Sequence, residues 1–178
     1  MIARVATIVG LVCVGVVGRL VPHLPNATPI AAITVTAGRY VGPTGAIVIP
    51  LVSMLLSDIV IGFYDWRILL SVYFSIACMG LLSIVTRHSR SAIATSVVIM
   101  GSSLLFFVIT NAAVWAFSPW FEKSLSGLLY SYELGLPFLR SMMLGDLVYT
   151  PLLLGAAECI AFLAVLARHR QIRPAYTT

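Results

Sequence analysis

Three carboxylates, Asp58, Asp146 and Glu158, stand inside long apolar runs of this 178-residue chain. An ionisable group in hydrocarbon costs roughly 2.5 kcal/mol or more, so each must face the protein interior or water. Polar and aromatic groups flank the same runs: Arg19, His23, Asn26, Asn111, Trp115 and Arg140. Together these types suit the capture of a small polar or charged organic molecule. Carboxylates accept its hydrogen bonds, arginines balance its charge and aromatics supply stacking area. The candidate binding set is therefore Arg19, His23, Asn26, Asp58, Asn111, Trp115, Arg140 and Asp146.

A plainer reading stands beside it. Asp58 and Asp146 could pair with Arg19 or Arg140 and lock helices together, and Asn111 could bond across an interhelical contact. His23 lies alone between two prolines, so a hydrogen bond that steadies its connection is preferred to a metal site. Glu158 could serve a proton relay, but pairing with a neighbouring span is preferred. The chain carries no Gly-x-Ser-x-Gly, no His-Glu-x-x-His and no glycine-rich phosphate loop. An enzyme is not expected, nor a cofactor or a metal, and ATP-driven work would need partner subunits.

The elements that hold these residues follow from composition. The chain is 60% hydrophobic and 10% charged, with a mean hydropathy of +1.04. So few charges cannot clothe a water-soluble surface, and the bilayer must solvate most of the chain. Backbone groups must then be satisfied within helices or a closed barrel. The apolar runs are continuous rather than alternating, which selects helices. Cys13, Cys78 and Cys159 sit singly in apolar runs and read as small buried core residues. The net charge of +5 reads as membrane topology and not as nucleic-acid binding, because the basic residues gather at span ends.

The expected fold is an all-α integral membrane protein, one domain over residues 1–178, with six transmembrane helices in one bundle. The spans fall at about 2–20, 29–41, 42–64, 68–85, 92–117 and 138–167. Arg4 and the run behind it form the first retained span, because no small-x-small cleavage site follows. Ala6 and Gly10 make a small-xxx-small pair that would let a partner helix approach closely. Three prolines between Arg19 and Pro29 forbid continuous helix there. Span 2 is short and should be shielded by its neighbours. Pro50 should kink span 3, and Trp66, Trp115 and Trp120 resemble interfacial anchors. Residues 118–137 are expected to form a long extracytoplasmic loop between helices 5 and 6, covering one mouth of the bundle.

Six spans put both termini on one side. With the termini cytoplasmic, that side holds Arg4, Arg39, Arg87, Arg90, Arg168, Arg170 and Arg173, seven of the eleven basic residues. The positive-inside rule favours this orientation. Arg19, Asp58, Asn111 and Asp146 then converge near the outer face, within about two turns of it, with Glu158 deeper.

Several strings carry a resemblance: P-H-L-P-N-A-T-P at 22–29, S-D-I-V-I-G at 57–62, T-N-A-A-V-W at 110–115, G-L-L-Y-S-Y at 127–132 and L-P-F-L-R-S-M-M-L-G-D-L-V-Y-T at 136–150. With the six-span layout, they resemble an uncharacterised bacterial membrane family related to the substrate-binding S components of energy-coupling factor (ECF) transporters. The resemblance implies a multi-pass protein of the bacterial cytoplasmic (inner) membrane that captures a small, vitamin-like solute outside the cell. It also implies coupling to a membrane scaffold subunit and two ATPases, with toppling in the bilayer to release the solute. In that family an Ala-x-x-x-Ala motif on the first helix meets the scaffold, and Ala6-x-x-x-Gly10 matches it in part. The histidine-rich N-terminal segment of nickel and cobalt carriers is absent, which points away from a metal substrate. Two other classes stay open: a stand-alone secondary carrier using Asp146 and Glu158, and a non-transporting membrane scaffold.

Overall fold

The computed structural model describes residues 2–22 and 24–172, with side chains over 4–22 and 24–166. Six helices occupy that range: α1 (Ile2–Leu20), α2 (Ile30–Tyr40), α3 (Pro43–Ile61), α4 (Trp66–Val85), α5 (Ala92–Phe117) and α6 (Leu125–Ile172). Helices α3, α4 and α5 and the Leu125–Leu166 part of α6 are each long and apolar enough to cross a membrane. The architecture is that of an all-helical, multi-pass membrane protein.

Helix α2 is the hub. Its eleven residues rise only about 16 Å at 1.5 Å per residue, roughly half of a ~30 Å hydrocarbon core. It is shielded by protein: Ile30 through Gly38 are all buried. It packs against every other helix, while α1, α3, α4, α5 and α6 contact one another in that order around it. The ring stays open between α1 and α6 among the described residues. Thr34 and Thr36 can be buried because their hydroxyls donate to Ala31 and Ala32 carbonyls one turn back, at 2.7 and 2.8 Å. The helix stops where Gly42 adopts φ +114° and Pro43 opens α3. A side chain at Gly42 would be strained in that conformation.

The connection between α5 and α6 departs from expectation. It is a short turn, and helix resumes at Leu125 instead of near residue 138. The long loop is thus mostly the first section of α6. Small residues spaced by four, Gly127, Ser131 and Gly135, form a buried stripe there; Gly127 lies against Glu122 of the turn, and Ser131 and Gly135 lie against Asn111 of α5. Tyr132 donates its hydroxyl to the Val108 carbonyl at 3.1 Å, and its ring lies 5.6 Å from that of Phe107. This packing holds the helix through Pro137, which removes one backbone donor but does not end it. Pro50 likewise sits inside α3.

The cysteines also differ from expectation. Cys13 and Cys159 are exposed, and Cys78 is half-buried. In a bilayer a small apolar side chain satisfies its surroundings equally well facing lipid, so hydrophobicity alone does not place it inside.

The two ends of the bundle carry different groups. At one end Arg19 closes α1, and Asp65 caps α4 by accepting from the Arg67 backbone N–H at 2.9 Å. The Arg67 guanidinium also grips Asp65 through two bonds, and these hydrogen bonds hold the exposed carboxyl down at about 2. Arg67 lies over the Phe117 ring, which ties the start of α4 to the end of α5. At the opposite end Arg4 donates to the Val41 carbonyl and Arg39 to the Ser89 carbonyl.

Enclosure of α2 by packing makes a direct prediction. Ile33 is fully buried, whereas Val5 is 53% exposed on α1. Ile33→Ala should lower stability by roughly 2–5 kcal/mol through the cavity it leaves. Val5→Ala should be near neutral. Unfolding of both variants in mixed detergent micelles compares them, and equal midpoints would contradict the hub role of α2.

Candidate solute-binding site

The two buried aspartates have opposite fates. Asp58, on α3, is 1% exposed and both of its oxygens are engaged. Oδ1 accepts from Arg19 Nη1 at 2.7 Å, and Oδ2 accepts from the Tyr73 hydroxyl at 2.9 Å. Arg19 Nη1 also donates to the Met54 carbonyl and the Ser57 hydroxyl. This cluster joins α1, α3 and α4. It is a clamp, with its carboxylate already satisfied by protein.

Asp146, on α6, is equally buried at 1%. Its Oδ2 accepts from the Ser103 hydroxyl of α5. Its Oδ1 has no hydrogen-bond partner and is shut off from solvent, and no ion pair to Asp146 is found among the described residues. A buried, unsatisfied carboxylate oxygen is costly and needs a physical reason. Close backbone approach sets its position. A Cβ on the neighbouring Gly145 would lie 3.0 Å from the Ala27 backbone, so only glycine lets α6 press this closely on the α1–α2 connection.

Asp146 borders a cavity of about 80 Å³. Arg19, Asn26 and Thr28 supply its other polar walls, and Met54, Met79, Phe106 and Met142 supply apolar ones. Asn26 takes a left-handed φ of 61°, which asparagine tolerates better than most side chains. All six helices and the α1–α2 connection therefore converge on one small polar-and-apolar chamber.

The structure sorts the sequence-predicted residues. Arg19, Asn26 and Asp146 meet at the cavity, and Asp58 stands behind Arg19 as its ion-pair partner. Asn111 does not line it. Its amide donates to the Phe107 carbonyl at 2.8 Å, and its side chain packs where a Cβ on Gly135 would come within 2.5 Å. Trp115 steadies the α5–α6 turn by donating from Nε1 to the Glu122 carbonyl at 2.9 Å, and Lys123 caps Trp115 and Ser118 carbonyls. Arg140 sits with Glu133 on an outward-facing groove of α6. Glu158 is exposed near the opposite end, beside Arg39 and Arg90. His23 lies outside the described residues. Among the described residues no group of three histidines, cysteines or carboxylates is placed to hold a metal.

Thr28, Tyr73, Ser103 and Met142 join the site or its support without a local motif to announce them. Tyr73 and Ser103 each lie on a different helix from the aspartate they bond, at sequence separations of 15 and 43. Only hydroxyls recurring inside apolar runs hinted at them.

The clamp has a measurable signature. Arg19→Met leaves Asp58 buried and unpaired, which should destabilise by roughly 3–5 kcal/mol. The double variant Arg19→Met, Asp58→Leu should recover most of that loss, because apolar groups replace both charges. Tyr73→Phe should cost about 1 kcal/mol. Equal stability of wild type and Arg19→Met in denaturant titrations would show that the pair is not a clamp.

No curated protein and no solved structure is detectably similar to this chain. A family model described as a family of unknown function (DUF6580) matches residues 1–169. The chain, with its enclosed short helix and its buried Asp146 chamber, belongs to the DUF6580 family.

Proposed function

We propose that this protein is a membrane-embedded binding protein for uptake of a small polar solute, which reaches Asp146 from the Arg19 end of the bundle. The observation that carries the reading is that Asp146, which borders a chamber shared with Arg19 and Asn26, keeps one buried carboxylate oxygen without a partner. A solute bringing an N–H or O–H donor completes the hydrogen bonding of that oxygen, and Asn26 and Thr28 offer further polar contacts. Asp58 takes an indirect role: it holds Arg19 in place. Asn111, Trp115 and Arg140 act in packing and at the surface rather than in contact with the solute.

Five long helices and the enclosed α2 make up six membrane segments in this reading, with both termini cytoplasmic. The end bearing Arg4, Arg39, Arg87 and Arg90 faces the cytoplasm by the positive-inside rule. The bacterial inner membrane is the setting that fits. The arrangement suits the S-component type of ECF transporter, and a vitamin-like solute remains the expected class. The chamber at about 80 Å³ is well below the roughly 300–1,000 Å³ of typical ligand pockets. A vitamin-sized guest therefore requires α6 to move off Ala27. Ala6 and Gly10 line an apolar groove in the gap between α1 and α6, the natural seat for a helix of a scaffold subunit working with ATPases.

Native mass spectrometry of the gently purified protein tests the reading. Wild type should carry a small-molecule adduct, Asp146→Asn should lose it, and Arg140→Ala should keep it. Retention of the same adduct by Asp146→Asn overturns the proposed site. Wild type without any adduct, and unshifted by a thermal screen of vitamins and nucleobases, points instead to a scaffold.

A further inference from the structure

Asp146 borders a second cavity, on its other side. This one measures about 300 Å³ and reaches the Arg39 end of the bundle, where Arg90 and Glu158 stand at its rim. Asp146 and Glu158 are both on α6, twelve residues apart, so the cavity follows that helix for about 18 Å. Its walls are polar where they need not be. The Thr150 hydroxyl, 8% exposed as a residue, has no hydrogen-bond partner, and neither does the buried Nε of Arg39. Other Arg39 atoms are engaged, since Nη2 donates to Ser89 and Thr95. Three residues from α2 and α6, each carrying a buried polar atom without a partner, thus line one ligand-sized space. Thr150 lies four residues beyond Asp146, about 6 Å along the same face.

The first chamber and this one share a single residue, the carboxylate whose Oδ1 is bare. Each also presents a guanidinium to that carboxylate's surroundings: Arg19 in the first, Arg39 in the second. The Asp58 cluster, by contrast, satisfies both carboxylate oxygens, and among the described residues the one other buried polar atom without a partner is Ser118 Oγ at the end of α5.

We propose that the two cavities are successive halves of one transport route through this chain, with Asp146 as the exchange point, and that the solute is a small zwitterion. Its ammonium group stays on Asp146 while its anionic group passes from the Arg19 side to Arg39 and Thr150. The proposal rests on the binding reading above. It adds that the chain itself provides an exit toward the Arg39 end, so passage does not require the whole protein to turn over in the bilayer.

Accessibility to the membrane-impermeant thiol reagent methanethiosulfonate ethyltrimethylammonium tests the route. Cys13, Cys78 and Cys159 are replaced by Ala, and Thr28→Cys or Thr150→Cys is introduced singly. Should the cysteine-free background lose the adduct seen in wild type, position-specific peptide mapping in the native background replaces it. In right-side-out vesicles Thr28→Cys should be modified and Thr150→Cys should not. In inverted vesicles the pattern should reverse. Tandem mass spectrometry of the molecule released from wild type should show both an amine and an acidic group.

Thr150→Cys unmodified from either face, or modified from the same face as Thr28→Cys, overturns the route. A released molecule with only one of the two groups overturns the solute class. Either failure, with Asp146→Asn still losing its adduct, leaves the first chamber standing as a binding site. An adduct that survives Asp146→Asn removes both readings together.

Discussion

In hydrocarbon a polar group finds no water, so every buried donor and acceptor must be answered from within the protein. The bundle is organised by that constraint. A helix of eleven residues cannot reach both interfaces, and its ends would expose backbone groups to lipid if it stood alone. Surrounding α2 with the other helices removes that problem. Hydroxyls along the interior helices follow the same rule, as Thr34, Thr36, Ser53, Ser57 and Ser83 each return a bond to a carbonyl within a turn. Ser83 also donates to Thr34 and stitches α4 to α2.

Against this background, the contrast between the two aspartates gains meaning. Asp58 obeys the constraint completely. An arginine and a tyrosine from two other helices take its two oxygens, and neither oxygen is left for a guest. Asp146 obeys it by half. Ser103 answers one oxygen, and the other has no partner, on a residue that borders a chamber walled by methionine and phenylalanine as well as by polar groups. Unsatisfied polar atoms recur at Thr150 and Arg39, on residues lining the cavity that Asp146 also borders. Of the four such atoms among the described residues, three belong to residues that line one cavity and the fourth is Ser118 Oγ at the end of α5, which separates a functional reading from a general looseness of packing.

Charge is distributed with equal economy. The Arg4, Arg39, Arg87 and Arg90 group gathers at one end, where Arg4 and Arg39 bind carbonyls of the α2–α3 and α4–α5 connections. The other end carries Arg67 paired with Asp65, and Lys123 spent on the α5–α6 turn. Beyond Gly155, α6 buries almost nothing among the described residues. Its outward face there is alanine, leucine and isoleucine, side chains that lipid solvates as well as protein does.

The sequence by itself determined the helical membrane class, because a chain so poor in charge has no other way to satisfy its backbone. It also placed the ends of α1, α2 and α5 within a residue or so, since Pro29, Gly42 and Ser91 act locally on the backbone. It pointed to Asp58 and Asp146 as groups that could not face lipid. Which of them was free, however, depended on partners 15 to 43 residues away on other helices, and no local pattern encodes such a meeting. The start of α6 was decided the same way. Prolines and polar residues between 118 and 137 read as a loop, whereas docking of Ser131 and Gly135 on α5, with Gly127 against the turn at Glu122, made most of that stretch a helix. Asn111 and Arg140 parted from the cavity for a related reason: depth along a span is legible from residue spacing, but the direction in which a side chain points is settled only when helices pack.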